Sequence, residues 1–252
     1  MDYYDKDKKI LLSRANDVIR LAQKNYVVKT LGFLSPYERK VIEQSSYTPD
    51  EISVRFFGGY EAAERTMMIC VPEYVDENVD EVITVLKISS RDLSGITHRD
   101  YLGSVLGLGI TRENIGDILV SDNGAYIFVK SEIADFCKNN LGKVKKAGVC
   151  VDICRCCDAE IPEPKVRIVK GTVQSFRLDA VLSLATGLSR TASAELIKQG
   201  RVFVNWEEAD SGSKPVCEGD FLSVRGKGRM KVGNIGGTTR KGRSFIEIEV
   251  YE

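Results

Sequence analysis

Phe176-Arg177-Leu178-Asp179-Ala180-Val181-Leu182-Ser183-Leu184-Ala185, continuing through Ser189-Arg190 to Gly200-Arg201-Val202-Phe203-Val204-Asn205, is the stretch on which the reading of this chain turns. Leu178, Val181, Leu182 and Ala185 recur at three- and four-residue spacing, so they share one buried helical face with Arg177 and Asp179 beside it. Gly187 breaks that helix, and Ser189 is placed to cap a second one whose Leu196 and Ile197 extend the apolar stripe to Gly200 at the C′ position. Val202 and Val204 alternate with Phe203 as in a strand, and Asn205 begins a turn. Gly219-Asp220 leads into a second strand, Phe221 to Val224, which runs on into Arg225-Gly226-Lys227-Gly228-Arg229. Outside the small core the stretch is basic: Arg177, Arg190, Lys198, Arg201, Arg225, Lys227 and Arg229.

These residues resemble the S4 domain, the module of a small-subunit ribosomal protein, many pseudouridine synthases, tyrosyl-tRNA synthetases and a heat-shock protein of the large subunit. The pattern covers about a fifth of the chain. The resemblance implies RNA binding by Arg177, Asp179, Ser189, Arg190, Arg201 and Lys227. Arginines at the start of two adjacent helices present forked donors to phosphate oxygens, and helix N-termini add N–H groups and a favourable dipole. Such contacts position a folded RNA without reading its sequence. For Lys198 a solvated surface charge is the plainer alternative. Where the usual turn is Asn-Gly, this chain has Asn205-Trp206. The chain's single Trp is either a cap on the small core or a stacking platform at the RNA edge. From Arg225 to Arg243 there are basic residues and glycines but no acid, which predicts a flexible basic loop suited to a phosphate backbone. Ser244 to Tyr251 alternates Ile246, Ile248 and Val250 with Glu247 and Glu249, and is expected to return to the sheet as a strand.

At 252 residues the chain accommodates two or three domains, and 43% hydrophobic with 29% charged is ordinary globular composition. Because the formal net charge is zero, nucleic-acid binding has to be argued from local clustering. The acidic Met1-Asp2-Tyr3-Tyr4-Asp5 start is unlike a signal peptide, and no apolar run reaches membrane-spanning length. Seven cysteines without a secretory signal imply reduced thiols and a cytoplasmic protein.

The fold class expected is α+β in three parts: an N-terminal α/β unit over 1–80, a ferredoxin-like domain over 81–165 and the S4 domain with its basic loop and final strand over 174–252. Ile10, Leu11, Ala15, Val18, Ile19 and Ala22 make an amphipathic helix, Ser35-Pro36-Tyr37-Glu38 is a capping box, and Ile52–Phe57 and Thr66–Val71 read as strands about Gly58-Gly59. Further on, Val82–Ile88 is a strand and Thr97 caps a helix through Leu106. Asp117–Val120 and Ala125–Val129 form a hairpin about Asp122-Asn123-Gly124, Ser131 caps a helix through Asn140, and Val149–Ile153 is a strand. That βαββαβ order is ferredoxin-like. Tyr126 and Phe128 point away from the aliphatic side of their strand, so they either stack bases on an open sheet or are buried against a neighbouring domain.

His98-Arg99-Asp100-Tyr101-Leu102-Gly103, with Gly107-Leu108-Gly109-Ile110 and Ile115-Gly116-Asp117, upstream of an S4 module, resembles the bacterial YlmH family over about residues 1 to 250. That resemblance implies a non-enzymatic protein; a monomer without cofactor or metal is expected. It implies binding to structured rRNA or tRNA on large ribosomal subunits carrying stalled peptidyl-tRNA, in ribosome quality control, with a link to cell division. His98, Arg99 and Asp100 are weaker carry-overs.

Several motifs fail on context. His98-Arg99-Asp100 is not a kinase loop, because Val105 stands where a metal-binding Asn belongs. Gly107-Leu108-Gly109 is not a dinucleotide loop, because Arg112 takes the third glycine's place. The single histidine, His98, removes His-based triads. Cys150, Cys154, Cys156 and Cys157 lack paired C-x-x-C spacing, and free thiols along a strand and linker are the reading preferred to a metal site. The alternative function is an RNA-modifying enzyme of the pseudouridine synthase type. It would need a nucleophilic Asp in a catalytic domain, whereas Arg177-Leu178-Asp179 belongs to the S4 helix.

Overall fold

The N-terminal amphipathic pattern becomes α1 (Tyr3–Asn25), which buries Ala15, Ile19 and Ala22 and leaves Ile10 half exposed. The structure, a computed structural model, describes residues 3–73, 75, 81–90, 95–121, 123–162, 166–240 and 242–251. Asp122 of the expected hairpin turn, Lys241 of the expected loop and the expected boundary at 80 lie outside those residues. After α1 come β1 (Lys29–Leu34), α2 (Pro36–Ser45), β2 (Ile52–Phe57) and β3 (Thr66–Pro72). At the start of α2 the Ser35 N–H donates to Glu38 Oε2 at 2.7 Å and the Glu38 N–H to Ser35 Oγ at 3.3 Å, which closes the capping box. The sheet order is β1-β3-β2, antiparallel throughout. Every residue of the central β3 is buried, because Met68 and Cys70 pack with the helices while Met67, Ile69 and Val71 face a second sheet.

That second sheet is built from β4 (Ile83–Ser89), β5 (Ile115–Ser121), β6 (Gly124–Lys130) and β9 (Cys150–Cys154), with α3 (His98–Leu106) and α4 (Ala134–Asn140) in the crossovers. A short hairpin, β7 (Lys143–Val144) and β8 (Ala147–Gly148), lies between α4 and β9. The strand order β5-β6-β4-β9 is the ferredoxin-like arrangement. Leu86, Ile88, Ala125, Ile127 and Val129 pack under the helices with Tyr101, Val105 and Cys137.

The opposite face decides between the two readings of Tyr126 and Phe128 and revises the expected separation of residues 1–80. Phe128 is fully buried and Tyr126 nearly so, in one core with Phe33, Met67, Ile69, Val71, Ile83, Val85 and Cys156. Residues 1–80 are therefore not a separate unit, and the span 1–162 is one compact body. Nor can Tyr126 and Phe128 stack on bases, since the first sheet occupies that face. A partly buried polar clasp joins the two sheets. Asp117 on β5 accepts from Tyr60 Oη at 2.8 Å and from the Glu64 and Arg65 N–H groups at 2.7 and 3.1 Å. Arg65 in turn donates to the carbonyls of Phe33 and Ile115. Burial pushes the Asp117 carboxyl above the usual range and lowers the Arg65 guanidinium.

The second compact body spans 163–252. Its elements are β10 (Val166–Val173), α5 (Leu178–Thr186), α6 (Arg190–Lys198), β11 (Val202–Val204), β12 (Glu207–Glu208), β13 (Phe221–Val224), β14 (Gly228–Thr238) and β15 (Ser244–Tyr251). They form one antiparallel sheet in the order β10-β15-β14-β13-β11-β12. Leu178, Val181, Leu182, Ala185 and Ile197 of the helices pack on Val202, Val204, Leu222, Val224, Met230, Val232, Ile246 and Ile248. The predicted flexible basic loop is thus mostly strand β14, paired on one side with β13 and on the other with β15. Met230 and Val232 turn inward while Arg229 and Lys231 turn outward, and register shifts follow at Val232/Ile235 and Ile235/Thr238. Strand β10, which pairs with β15 along its whole length, extends the module upstream of the expected start at 174.

Candidate nucleic-acid interface

The helical side of the C-terminal body is organised by one carboxylate. Arg177, the residue before α5, donates from Nη2 to Asp179 Oδ2 at 3.0 Å and from Nε to Oδ1 at 3.3 Å. Arg190, the first residue of α6, donates from Nη2 to Asp179 Oδ1 at 3.0 Å. The arginine side chains keep 42% and 54% of their exposure, against 12% for Asp179. Asp179 is thus a nearly buried carboxylate that holds two half-exposed guanidinium groups. Each guanidinium has five N–H donors, so donors remain for a phosphate. Hydrogen bonds from Arg177 and then from Arg190 hold the Asp179 carboxyl below its usual range.

The helix N-termini contribute less than expected. The Leu178 N–H donates to the Lys214 carbonyl at 2.9 Å and the Asp179 N–H to the Gly212 carbonyl at 3.1 Å, so a strap at Ser211–Val216 occupies the first donors of α5. A Cβ on Gly212 would stand 3.2 Å from Asp179 Cβ, which is why glycine suits that approach. Turn-forming Gly212 and Pro215 were the sequence signal for this strap. Ser189 caps α6, its Oγ accepting from the Ala192 N–H at 3.1 Å, so it is a structural cap. Asn205 is committed too: Nδ2 donates to Asp220 Oδ1 and Oδ1 accepts from the Phe221 N–H, both at 2.9 Å. Lys198 is exposed in the last turn of α6, about 12 Å along the axis from Arg190.

The remaining predicted residues lie elsewhere. Arg201 Nη2 donates to the Arg225 carbonyl at 2.8 Å and so closes the β13–β14 turn, in which Lys227 is exposed. Arg225 lies 5.2 Å from the Phe203 ring centroid, and Arg229 lies 5.7 and 5.1 Å from those of Phe221 and Tyr251. Phe203, Phe221 and Arg229 alternate with core residues, so they project from the sheet face opposite the helices. The structure thus divides the predicted residues between two faces. The turn at Asn205-Trp206 has φ of 49° and 66°, with Val204 paired to Glu207, as in a type I′ hairpin. A Trp in that left-handed position costs on the order of 1 kcal/mol relative to glycine. Its ring rests on Phe221 with centroids 5.3 Å apart.

In the N-terminal body, His98 and Arg99 are exposed at the start of α3. Partial desolvation of the ring, then the Arg112 charge, lowers the His98 pKa. Asp100 accepts from the Thr97 N–H at 2.8 Å as a helix cap, and that bond lowers its pKa. Arg99 borders a shallow groove of about 750 Å³ with Lys143 and Lys145, two basic residues that the motif reading missed because they sit on the short β7–β8 hairpin. Cys150 and Cys157 are exposed, Cys154 is half-buried and Cys156 is buried with its thiol donating to the Ile83 carbonyl. Among the described residues, no group of three or more His, Cys, Asp or Glu is placed to hold a metal ion, and no helix is long and apolar enough to cross a membrane.

Two helices clasped by Asp179 on an antiparallel sheet define a protein carrying an S4 domain, and the S4 family model matches residues 176–222. A second model, described as "Putative RNA-binding domain in YlmH", matches residues 72–157. Over 249 residues the chain is 34% identical to the Ribosome-associated protein quality control protein P2 of Bacillus subtilis, covering 98% of this chain and 96% of that protein. The chain belongs to the YlmH family. A solved structure, the cell division protein ylmH from Streptococcus pneumoniae, shares the fold at a TM-score of 0.51 and 21% identity, over 61% of this chain and 92% of that one.

Proposed function

We propose that this chain is a non-catalytic protein that grips structured RNA, rRNA or tRNA, on the ribosome through Arg177 and Arg190. The site of action we propose is the large subunit carrying peptidyl-tRNA during ribosome quality control, with a link to cell division. The observation that carries the reading is the pair of half-exposed guanidinium groups held on one buried carboxylate. Held arginines lose little side-chain freedom when they meet a phosphate, so their binding energy is not spent on ordering. The family membership and the B. subtilis relative's name support the ribosomal setting.

A pseudouridine synthase reading is disfavoured by the same geometry. Asp179, the aspartate of its Arg-Leu-Asp run, is nearly buried and bonded to both arginines, which leaves it a poor nucleophile. The test is co-sedimentation of Arg177→Ala plus Arg190→Ala with ribosomal subunits, with circular dichroism as a control for folding. The double variant is expected to leave the subunit fractions while remaining folded. Its RNA affinity should also fall less steeply with salt, by about two phosphate contacts. Unchanged co-sedimentation would sink the proposal.

A further inference from the structure

We infer that the outer face of the C-terminal sheet carries a second RNA contact, a stacking platform for an unpaired base built on Trp206, Phe221 and Arg229. The inference rests on the RNA-binding reading above and adds a face that the helical clasp does not use.

The platform begins with a strained residue. Trp206 occupies a left-handed backbone position, φ 66°, directly after Asn205 at φ 49°. Glycine adopts that conformation without a clash, whereas a Cβ-bearing aromatic does so only where its surroundings hold it. A core role would explain the strain, but the indole is only half-buried and lies outside the cluster under the helices. It rests instead on Phe221 at 5.3 Å and 38°, and Phe221 is followed by Tyr251 at 6.4 Å.

Cations accompany the rings. Arg229 lies over both Phe221 and Tyr251, and Lys231 lies 5.6 Å from the Phe221 centroid. Exposed Arg225 and Lys227 lie at the β13–β14 turn, and Glu249, paired with Lys231, bounds the platform on the β15 side. Flat rings interleaved with positive charge match a nucleotide, which brings a π-face and a phosphate together. The match requires a base out of its pair, because a duplex buries its base faces except at its ends. The rings are too close to one another to admit a base between them, so the base meets the part of the indole that solvent reaches.

Trp206 is the only Trp in the chain, so its emission reports this face alone. Full-length protein is titrated with a short labelled oligouridylate and with a blunt RNA duplex of equal length, reading RNA anisotropy and Trp emission together. The single strand is expected to quench the emission, and the duplex to bind with much weaker quenching, since only its two terminal pairs offer a base face. Quenching by the single strand that persists in Arg177→Ala plus Arg190→Ala supports a contact separate from the helices. Trp206→Gly is expected to bind the single strand about tenfold more weakly, with duplex affinity and melting temperature held, since glycine relaxes the turn. A purely structural Trp would lower the melting temperature and leave the two RNAs equally affected, which would overturn the proposal. Oligouridylate that binds by anisotropy with Trp emission unchanged would overturn the platform while leaving the helical grip. Emission that shifts with protein concentration alone would assign the face to a second copy of the chain and overturn it. Failure of both RNAs to bind would overturn the platform and the RNA-binding reading together.

Discussion

Asp179 places one negative charge between two positive ones, and its neutralisation should release both arginines at once. Asp179→Asn keeps the shape of the side chain but loses the charge-assisted character of its bonds, so it is expected to destabilise the C-terminal body by roughly 1–2 kcal/mol. RNA affinity should fall without loss of the fold, as measured by anisotropy alongside thermal melting followed by Trp206 emission. The pH dependence has a definite sign. The folded-state pKa of Asp179 is lowered, so its contribution to stability is complete above its unfolded value of about 3.9 and is lost as pH falls through the lowered folded value. The variant should lack that part of the acid-induced loss, and identical melting curves of the two proteins across the acid range would refute the clasp. The places of Arg177 and Arg190 at the starts of α5 and α6 were legible in the sequence, but the carboxylate they share was not. A carboxylate next to arginine in sequence does not disclose that a second arginine, eleven residues on, shares it.

At the scale of elements, the contact between the two N-terminal sheets rests on rings seated against glycine backbone. A Cβ on Gly59 would stand 2.4 Å from Phe128 Cδ1, and Gly59 also has φ of +98°. Gly59→Ala should therefore cost about 2–3 kcal/mol in urea unfolding followed by circular dichroism, through overpacking and backbone strain. Phe128→Ala at the same seam should cost about 3–5 kcal/mol. An Ala at 59 as stable as glycine would mean that the seam is loose. The period-two pattern at Tyr126 and Phe128 revealed that they share a face, but alternation is silent on what covers a face. In β14 the signals competed: glycines and charges suggested loop, while Met230 and Val232 alternating with Arg229 and Lys231 marked the strand. Helix α2 and the cap of α3 were legible because Ser35 with Glu38, and Thr97 with Asp100, act within one turn.

At the scale of the molecule, removal of residues 1–80 should uncover Ile83, Val85, Tyr126 and Phe128 together. A chain of residues 81–252 is expected to aggregate on size exclusion, whereas full-length protein does not, because a contiguous apolar sheet face has no place in water. A monodisperse truncated chain would argue that the two sheets are independent after all. The C-terminal body carries its own core, and its first strand escaped the sequence reading because its partner lies at the far end of the chain. That pairing sets Val166 directly across from Tyr251. The polypeptide therefore enters and leaves this body at adjacent points on one sheet edge, as a plug-in cassette does. A fold with its ends side by side can be spliced onto unrelated hosts, or have its ends joined and reopened at a surface turn, without redrawing its interior.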